Sequence, residues 1–245
     1  MDVVDPAGRR DVVSPRALDP AIRRAVTEAA IRVLGTEGRS ALTTRRLARE
    51  ANTSTTAVYT YFGSMDDVHR HVRRQAIGAL LAALDVVGIT DDPVADLARA
   101  AAVQVDQGHL HPAMYRIMFV DQPPDDTADP AAAVFERFAD LVERCIRAGR
   151  FRPDEPHHAA MWAGEVWTVG HGAVLSALTG LLSHEHGRAM HEDMLFRLCV
   201  GFGDDRNTAH ASIESAAAQR YCTGPLSVGV DGYGATRGAN SCTLR

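Results

Sequence analysis

Residues 43–64 read TTRRLAREANTSTTAVYTYFGS, a pattern that predicts two short helices joined by a tight turn. Thr43 and Thr44 offer hydroxyls where the first helix needs a cap, because its opening N–H groups have no partner inside the helix. Leu47, Ala48 and Ala51 then share one face. Asn52 follows that face, and asparagine is one of the few non-glycine residues that tolerates a left-handed backbone. Ser54 is placed to cap the second helix, whose Val58 and Phe62 stand four apart and point inward. Thr55, Thr56, Tyr59, Thr60 and Tyr61 are left facing out. Short hydroxyls reach base edges and thymine methyls, and tyrosine hydroxyls bond phosphates. This is the layout of a helix-turn-helix with its second helix in the major groove. The candidate DNA-binding set is therefore Thr43, Thr44, Arg45, Ser54, Thr55, Thr56, Tyr59, Thr60, Tyr61 and Ser64.

A third helix is expected ahead of the pair. Ile22, Val26, Ala29, Ala30, Val33 and Leu34 form a helical stripe, with Asp19-Pro20 as its start and Gly35 or Gly38 as its end. An ordinary packed helix at 53–62 is the alternative, but this flanking support argues against it.

These residues resemble the tetracycline-repressor (TetR) family of one-component regulators. In that family a helix bearing L-A-x-x-A leads through a turn and a capping Ser into a recognition helix ending Y-x-[H/Y]-F. Leu47, Ala48, Ala51, Ser54, Tyr59, Tyr61 and Phe62 occupy those places, and the likeness runs over residues 21–72. Two positions depart from the pattern. Asn52 stands where glycine is frequent, and Met65 stands where many members carry a phosphate-contacting lysine. The resemblance implies an operator-binding homodimer and a C-terminal half that binds a small-molecule effector.

Composition agrees with such a protein. The chain has 245 residues, 46% hydrophobic and 6% aromatic, enough for a real core and suited to helices. All 26 basic residues are arginine. Residues 1–74 carry a balance of +4 and residues 75–245 a balance of −9, so one end alone is suited to facing phosphates. Cys145, Cys199, Cys222 and Cys242 lie far apart, which fits neither a zinc pattern nor a disulfide framework. With no signal-peptide pattern at the start, a cytoplasmic location is expected. The apolar run at 161–182 is long enough for a bilayer, but Glu165 and His171 inside it point to a buried helix and to no membrane partner.

The expected fold class is all-α: an N-terminal three-helix helix-turn-helix domain and a C-terminal helical bundle for ligand binding and dimerisation. The expected division is a disordered arm at 1–18, the DNA-binding domain at 19–64, the regulatory and dimerisation domain at 65–203, and a mostly disordered tail at 204–245, with a short helix near 209–220. Helices are expected at 64–87, from Asp92-Pro93 to near Gly108, from His111-Pro112 to Val120, from Asp129-Pro130 to Ala148, at 157–182 and at 187–203.

In the second half, Trp167-Thr-Val-Gly-His171-Gly172 is similar to the W-x-x-x-H-G signature of one class of TetR C-terminal domains, and residues 111–119 support the same likeness. Trp167 and His171 share a helix face. Glycines at 164, 170, 172 and 180 suggest a very close neighbouring helix, at a dimer interface or a cavity. His171 is read either as a ligand contact or as a hydrogen-bonded core residue. Met114, Tyr115, Met118, Phe119, Phe138, Met161, Trp162, Trp167 and His171 are the candidate pocket, suited to a largely apolar effector. Trp167, Leu175, Leu178, Phe196 and Leu198 are the candidate dimer contacts.

His184-Glu185-His186 with His191 and Glu192 matches no strong metal spacing, so no metal and no cofactor are expected. No nucleophile elbow, phosphate loop, H-E-x-x-H or dinucleotide fingerprint points to an enzyme, and no catalytic residue is assigned. A ligand-responsive transcriptional regulator, most often a repressor in this family, is the expected function. The alternatives are an architectural DNA-binding protein without a ligand, which a solid apolar interior in the C-terminal half would favour, and an enzyme on a helical scaffold.

Overall fold

Asp19 and Pro20 start helix α1 (Pro20–Glu37) as the sequence predicts: the Asp19 carboxylate accepts the Ala21 N–H at 2.9 Å, and proline takes the first turn. The structure, a computed structural model, describes residues 19–121, 130–155 and 157–219. The predicted arm at 1–18, most of the acidic loop after α6 and the tail beyond 219 lie outside the described residues. No strand occurs among the described residues.

A short 3-10 turn (Arg39–Ala41) leads from α1 to α2 (Thr44–Glu50), α3 (Thr55–Phe62) and α4 (Met65–Val86). Val26, Ala30, Leu47, Val58, Val68 and Val72 are almost wholly buried and form the core these helices share. The stripe read from the sequence on α1 is the face that goes inside.

Helix α5 (Pro93–Leu110) is the axis of the second half. Fourteen of its 18 residues are buried, so it is packed on every side and no single stripe describes it. Its many alanines let α6 (Pro112–Phe119), α7 (Ala132–Arg147), α8 (His158–Leu178), α9 (His184–Gly201) and α10 (Arg206–Ala218) come close around it. Gly108 was expected near the helix end. The helix does end close by, at Leu110, and the glycine also serves contact: a Cβ there would lie 2.6 Å from both γ-carbons of Val174 on α8. Gly170 does the reciprocal service, since a Cβ there would lie 2.9 Å from Gln104 Oε1. The close neighbour that the glycines of α8 implied is therefore α5 at Gly170. Gly180 lies past the end of α8 with φ +75°, and so it stops that helix.

Two further expectations change. Helix α7 begins at Ala132, with Ala131 in the cap position and no side-chain cap, while Asp129 lies outside the described residues. The second change concerns the boundary at 203, because the fold continues beyond it. Helix α10 buries Ala209, Ser212 and Ala216, and packs on α5 and α9. Ser212 donates to Asp92 at 2.7 Å and accepts from Arg150 at 3.0 Å. Arg150 also grips Asp204 with two bonds of 2.7 Å. A short helix near 209–220 is expected from the sequence, but its low apolar content gives no sign that polar side chains anchor it to the bundle. A second ionic group sits deeper. Asp96, fully buried, pairs with Arg99 and with Arg144 at 2.6 Å. Removing one member of a buried ion group typically costs about 3–5 kcal/mol, because the rest is left uncompensated.

Candidate nucleic-acid interface and sensor core

Each helix of the pair is capped by the hydroxyl the sequence offers. Thr43 accepts the Arg46 N–H at 3.3 Å, Ser54 accepts the Ala57 N–H at 3.0 Å, and Ser64 accepts the Asp67 N–H at 3.1 Å. Ser54 and Ser64 thus set helix directions. Asn52 has φ 50°, the only positive φ outside glycine among the described residues, and Thr53 N–H returns to the Ala48 carbonyl at 2.9 Å. That turn fixes α3 across α2. Phe62 locks the other end: Arg23 lies 5.4 Å above its ring, and His71 meets it edge-on at 5.3 Å. Burial, then the Arg23 and Arg74 charges, hold His71 at about 4, so it stays neutral at pH 7.

Thr43, Thr44, Arg45, Thr55 and Tyr59 line one open concave surface. Thr44 and Tyr59 join hydroxyls at 3.1 Å across it, and Thr55 and Thr56 are exposed beside it. Thr60 is exposed too, although its proton is directed at the Thr56 carbonyl at 2.9 Å. Tyr61 differs from the expectation of an outward side chain. It is half-buried, and its hydroxyl accepts the Asp19 N–H at 2.7 Å, which ties the start of α1 to α3. Its phenolic proton is still available to an acceptor.

In the second half, most of the candidate pocket residues do meet. Tyr115 OH and His171 Nδ1 are 2.7 Å apart. Phe119 packs on Tyr115 at 5.0 Å and on Trp167 at 4.9 Å, and Trp167 packs on His171 and on Phe138, both at 5.9 Å. Met114 and Met118 are buried on the same short helix. Two residues do not join. Met161 is 45% exposed, and Trp162 stacks on Phe202 at 4.6 Å in a separate group with Phe151. Helix α8 turns through 100° per residue, so Trp162 and Trp167 lie on different sides of it.

Two residues of this core escaped the sequence reading. Gln104 and Gln107 are buried on α5; the Gln104 amide lies beside the Tyr115 phenol, and neither polar atom of the Gln107 amide has a hydrogen-bond partner among the described residues. Leaving such a group unpaired costs about 1–3 kcal/mol. Gln104 adjoins Tyr115, whose phenol burial pushes up, with the Gln104 amide opposing that only in part. Burial also lowers the His171 pKa, which favours its neutral form. The signal was two glutamines three apart on a helix rich in alanine and valine.

The candidate dimer contacts divide as well. Trp167 faces the aromatic core, and Phe196 lies under Arg206 at 5.1 Å and His210 at 5.8 Å from α10. Both are half-buried. Leu175, Leu178 and Leu198 are half-buried. The sequence reading missed Met190 and Met194, four apart and exposed on α9.

The halves touch through more than α4, because α6 packs on α1, α4 and α5. Arg73 of α4, itself buried, donates to the Met118 carbonyl at 2.9 Å, and Arg39 donates to the Asp121 carbonyl at 3.1 Å. Among the described residues no helix is long and apolar enough to cross a membrane.

Comparison with known proteins agrees with both halves. The profile of bacterial regulatory proteins of the tetR family matches residues 26–72, and that of the tetracyclin repressor-like C-terminal domain matches residues 97–200. An uncharacterized HTH-type transcriptional regulator of Mycobacterium tuberculosis is 29% identical over 200 residues, covering 79% of this chain and 86% of that one. Among solved structures, a protein of unknown function from Rhodococcus sp. RHA1 has a TM-score of 0.66 at 21% identity, covering 75% of this chain and 96% of that one. RolR in complex with resorcinol has a TM-score of 0.54 at 15% identity, covering 78% and 92%. The regulator PfmR of Thermus thermophilus has 0.55 at 20% identity, covering 69% and 96%. These structures share the fold. With the helix-turn-helix matched at one end and the helical bundle at the other, the chain belongs to the TetR family of transcriptional regulators.

Proposed function

We propose that this regulator is a cytoplasmic repressor that binds a palindromic operator as a homodimer and leaves it when a small, largely apolar effector enters the C-terminal bundle. The observation that carries the DNA-binding part is the concave surface of Thr43, Thr44, Arg45, Thr55 and Tyr59. Tyr59, Tyr61 and Thr44 bind phosphates, while Thr55, Thr56 and Thr60 face bases. One short recognition helix reads few base pairs, so two are needed, one helical repeat apart. The pairing surface is α8 and α9, where Met190 and Met194 are exposed.

The interior of the second half is not solidly apolar. Buried Gln104, Gln107, Tyr115 and His171 favour a ligand site over a purely architectural protein. RolR, a similar fold, was crystallised with resorcinol, which supports a small aromatic effector. The effector acts through α6, which carries Tyr115 and Phe119 against the core and the Met118 carbonyl against Arg73 of α4. A shift of α6 then swings α4 and changes the separation of the two recognition helices. The reading needs no cofactor and no catalytic step.

Capture of genomic DNA fragments by the full-length protein, followed by titration of the recovered sequence, tests this function. A palindromic site bound by a dimer supports it. A strictly monomeric protein at micromolar concentration, or binding without sequence preference, refutes it.

A further inference from the structure

We infer that the sensor core takes an uncharged aromatic effector with at least two hydrogen-bonding groups, and that Gln104 and Gln107 are its polar anchors; this rests on the ligand-binding reading above. Their burial is complete, at 0% and 1% exposure; the Gln104 amide has the Tyr115 phenol beside it, and neither polar atom of the Gln107 amide has a hydrogen-bond partner among the described residues. They stand three apart on α5, so they share a face. A carboxamide offers both a donor and an acceptor, and a group such as a phenolic hydroxyl answers both.

The surrounding side chains supply apolar surface for a ring that enters by displacing one of them. Phe119, Trp167 and Phe138 present aromatic surface, and Met118 is a flexible neighbour able to yield room. Gly170 lets the Gln104 amide lie directly against α8. The Tyr115–His171 pair is the next polar contact, and both groups are neutral at pH 7. Charge is catered for elsewhere: Asp96 is two turns away on α5 and already held by Arg99 and Arg144. An anion entering the core would lose its hydration, and the buried arginines Arg73 and Arg99 are already engaged by the Met118 carbonyl and by Asp96. A neutral ligand meets no such penalty and relieves the unpaired Gln107 amide.

The full-length protein is titrated calorimetrically with resorcinol, phenol, benzamide and benzoate at millimolar concentration, for the native chain and for Gln104→Leu and Gln107→Leu. Leucine removes the amide at similar volume, and thermal unfolding of each variant confirms that it folds. At least one neutral probe should bind the native chain, benzoate should bind at least about tenfold more weakly, and each leucine variant should weaken the neutral probe by about tenfold. The inference is overturned if no neutral probe binds, if benzoate binds as well as its neutral counterparts, or if both folded variants bind them unchanged. DNA affinity with and without the bound probe is read separately. A probe that binds through the glutamines yet leaves DNA affinity unaltered sinks the proposed release mechanism and not the ligand assignment.

Discussion

Asn52 offers a clean perturbation, because one backbone angle decides its consequence. At φ 50° the residue sits in the left-handed region, where a Cβ crowds the following carbonyl. Alanine there should cost about 1 kcal/mol, since it lacks the local hydrogen bonding that lets asparagine visit this region. Glycine removes the Cβ strain but loosens the unfolded chain by about 0.5–1 kcal/mol, so Asn52→Gly should lie close to the native protein. The turn also sets α3 across α2, with the Thr53 N–H bonded to the Ala48 carbonyl. The alanine variant should therefore open this corner more often, and the glycine variant should keep it. Urea unfolding at one fixed protein concentration measures the stability difference, because a dimer's apparent stability depends on concentration. Hydrogen exchange at the amides of α3 locates the loss. An Asn52→Ala protein as stable as Asn52→Gly would falsify the strain argument.

Thr56→Ala should reduce discrimination at one base position by about 1–3 kcal/mol, whereas Tyr61→Phe should weaken all sites about equally; identical specificity changes in a single-base operator series refute that division. Burial, and then the Arg188 and His109 charges, hold His191 at about 4, below its ordinary 6.5. The unfolded chain therefore takes the proton first as pH falls. The stability tied to His191 is complete above about 6.5 and lost towards 4, amounting to about 2 kcal/mol by pH 5. His191→Gln should flatten the slope of urea midpoints between pH 7 and 5, and an unchanged slope rejects this origin. Arg73→Met removes the donor to the Met118 carbonyl and should shrink effector-driven DNA release, for which about 5- to 150-fold is expected, while DNA affinity without effector changes little; full release in this variant shows that the contact carries no coupling.

The helix-turn-helix was legible because its determinants are local. Thr43, Ser54 and Ser64 cap helices within three residues of themselves, and Asn52 bends the chain where it stands. Tyr61 was misjudged because its partner, the Asp19 N–H, is 42 residues away. The contact that Gly108 serves was out of sight for the same reason: Val174, which requires the glycine, belongs to α8. Helix α10 was undervalued because hydropathy says nothing about Ser212 meeting Asp92 and Arg150 across 120 and 62 residues. Trp162 and Trp167 lie five apart and were read as one pocket, yet 500° of helical rotation separates them onto different sides of α8.

Helix α6 shows why the switch could not be placed from sequence. Its eight residues carry no motif that marks a switch. The structure gives those eight residues two audiences. Tyr115 and Phe119, four apart, meet His171 and Trp167 of α8, while the Met118 carbonyl between them accepts from Arg73 of α4. A short helix with proline in its first turn, and its last carbonyls engaged by another helix, moves more readily as a rod than by bending. Under the proposed function, displacement of either aromatic by an effector would reach Arg73 within one turn of the same rod. Arg73 stands eight residues beyond Met65 in α4, so in the proposed switch a small rotation there would be magnified at the Ser64 end, which adjoins the end of α3 at Phe62. The lever arm follows from which residues of α6 face which partner, and that is a property of packing rather than of any single motif.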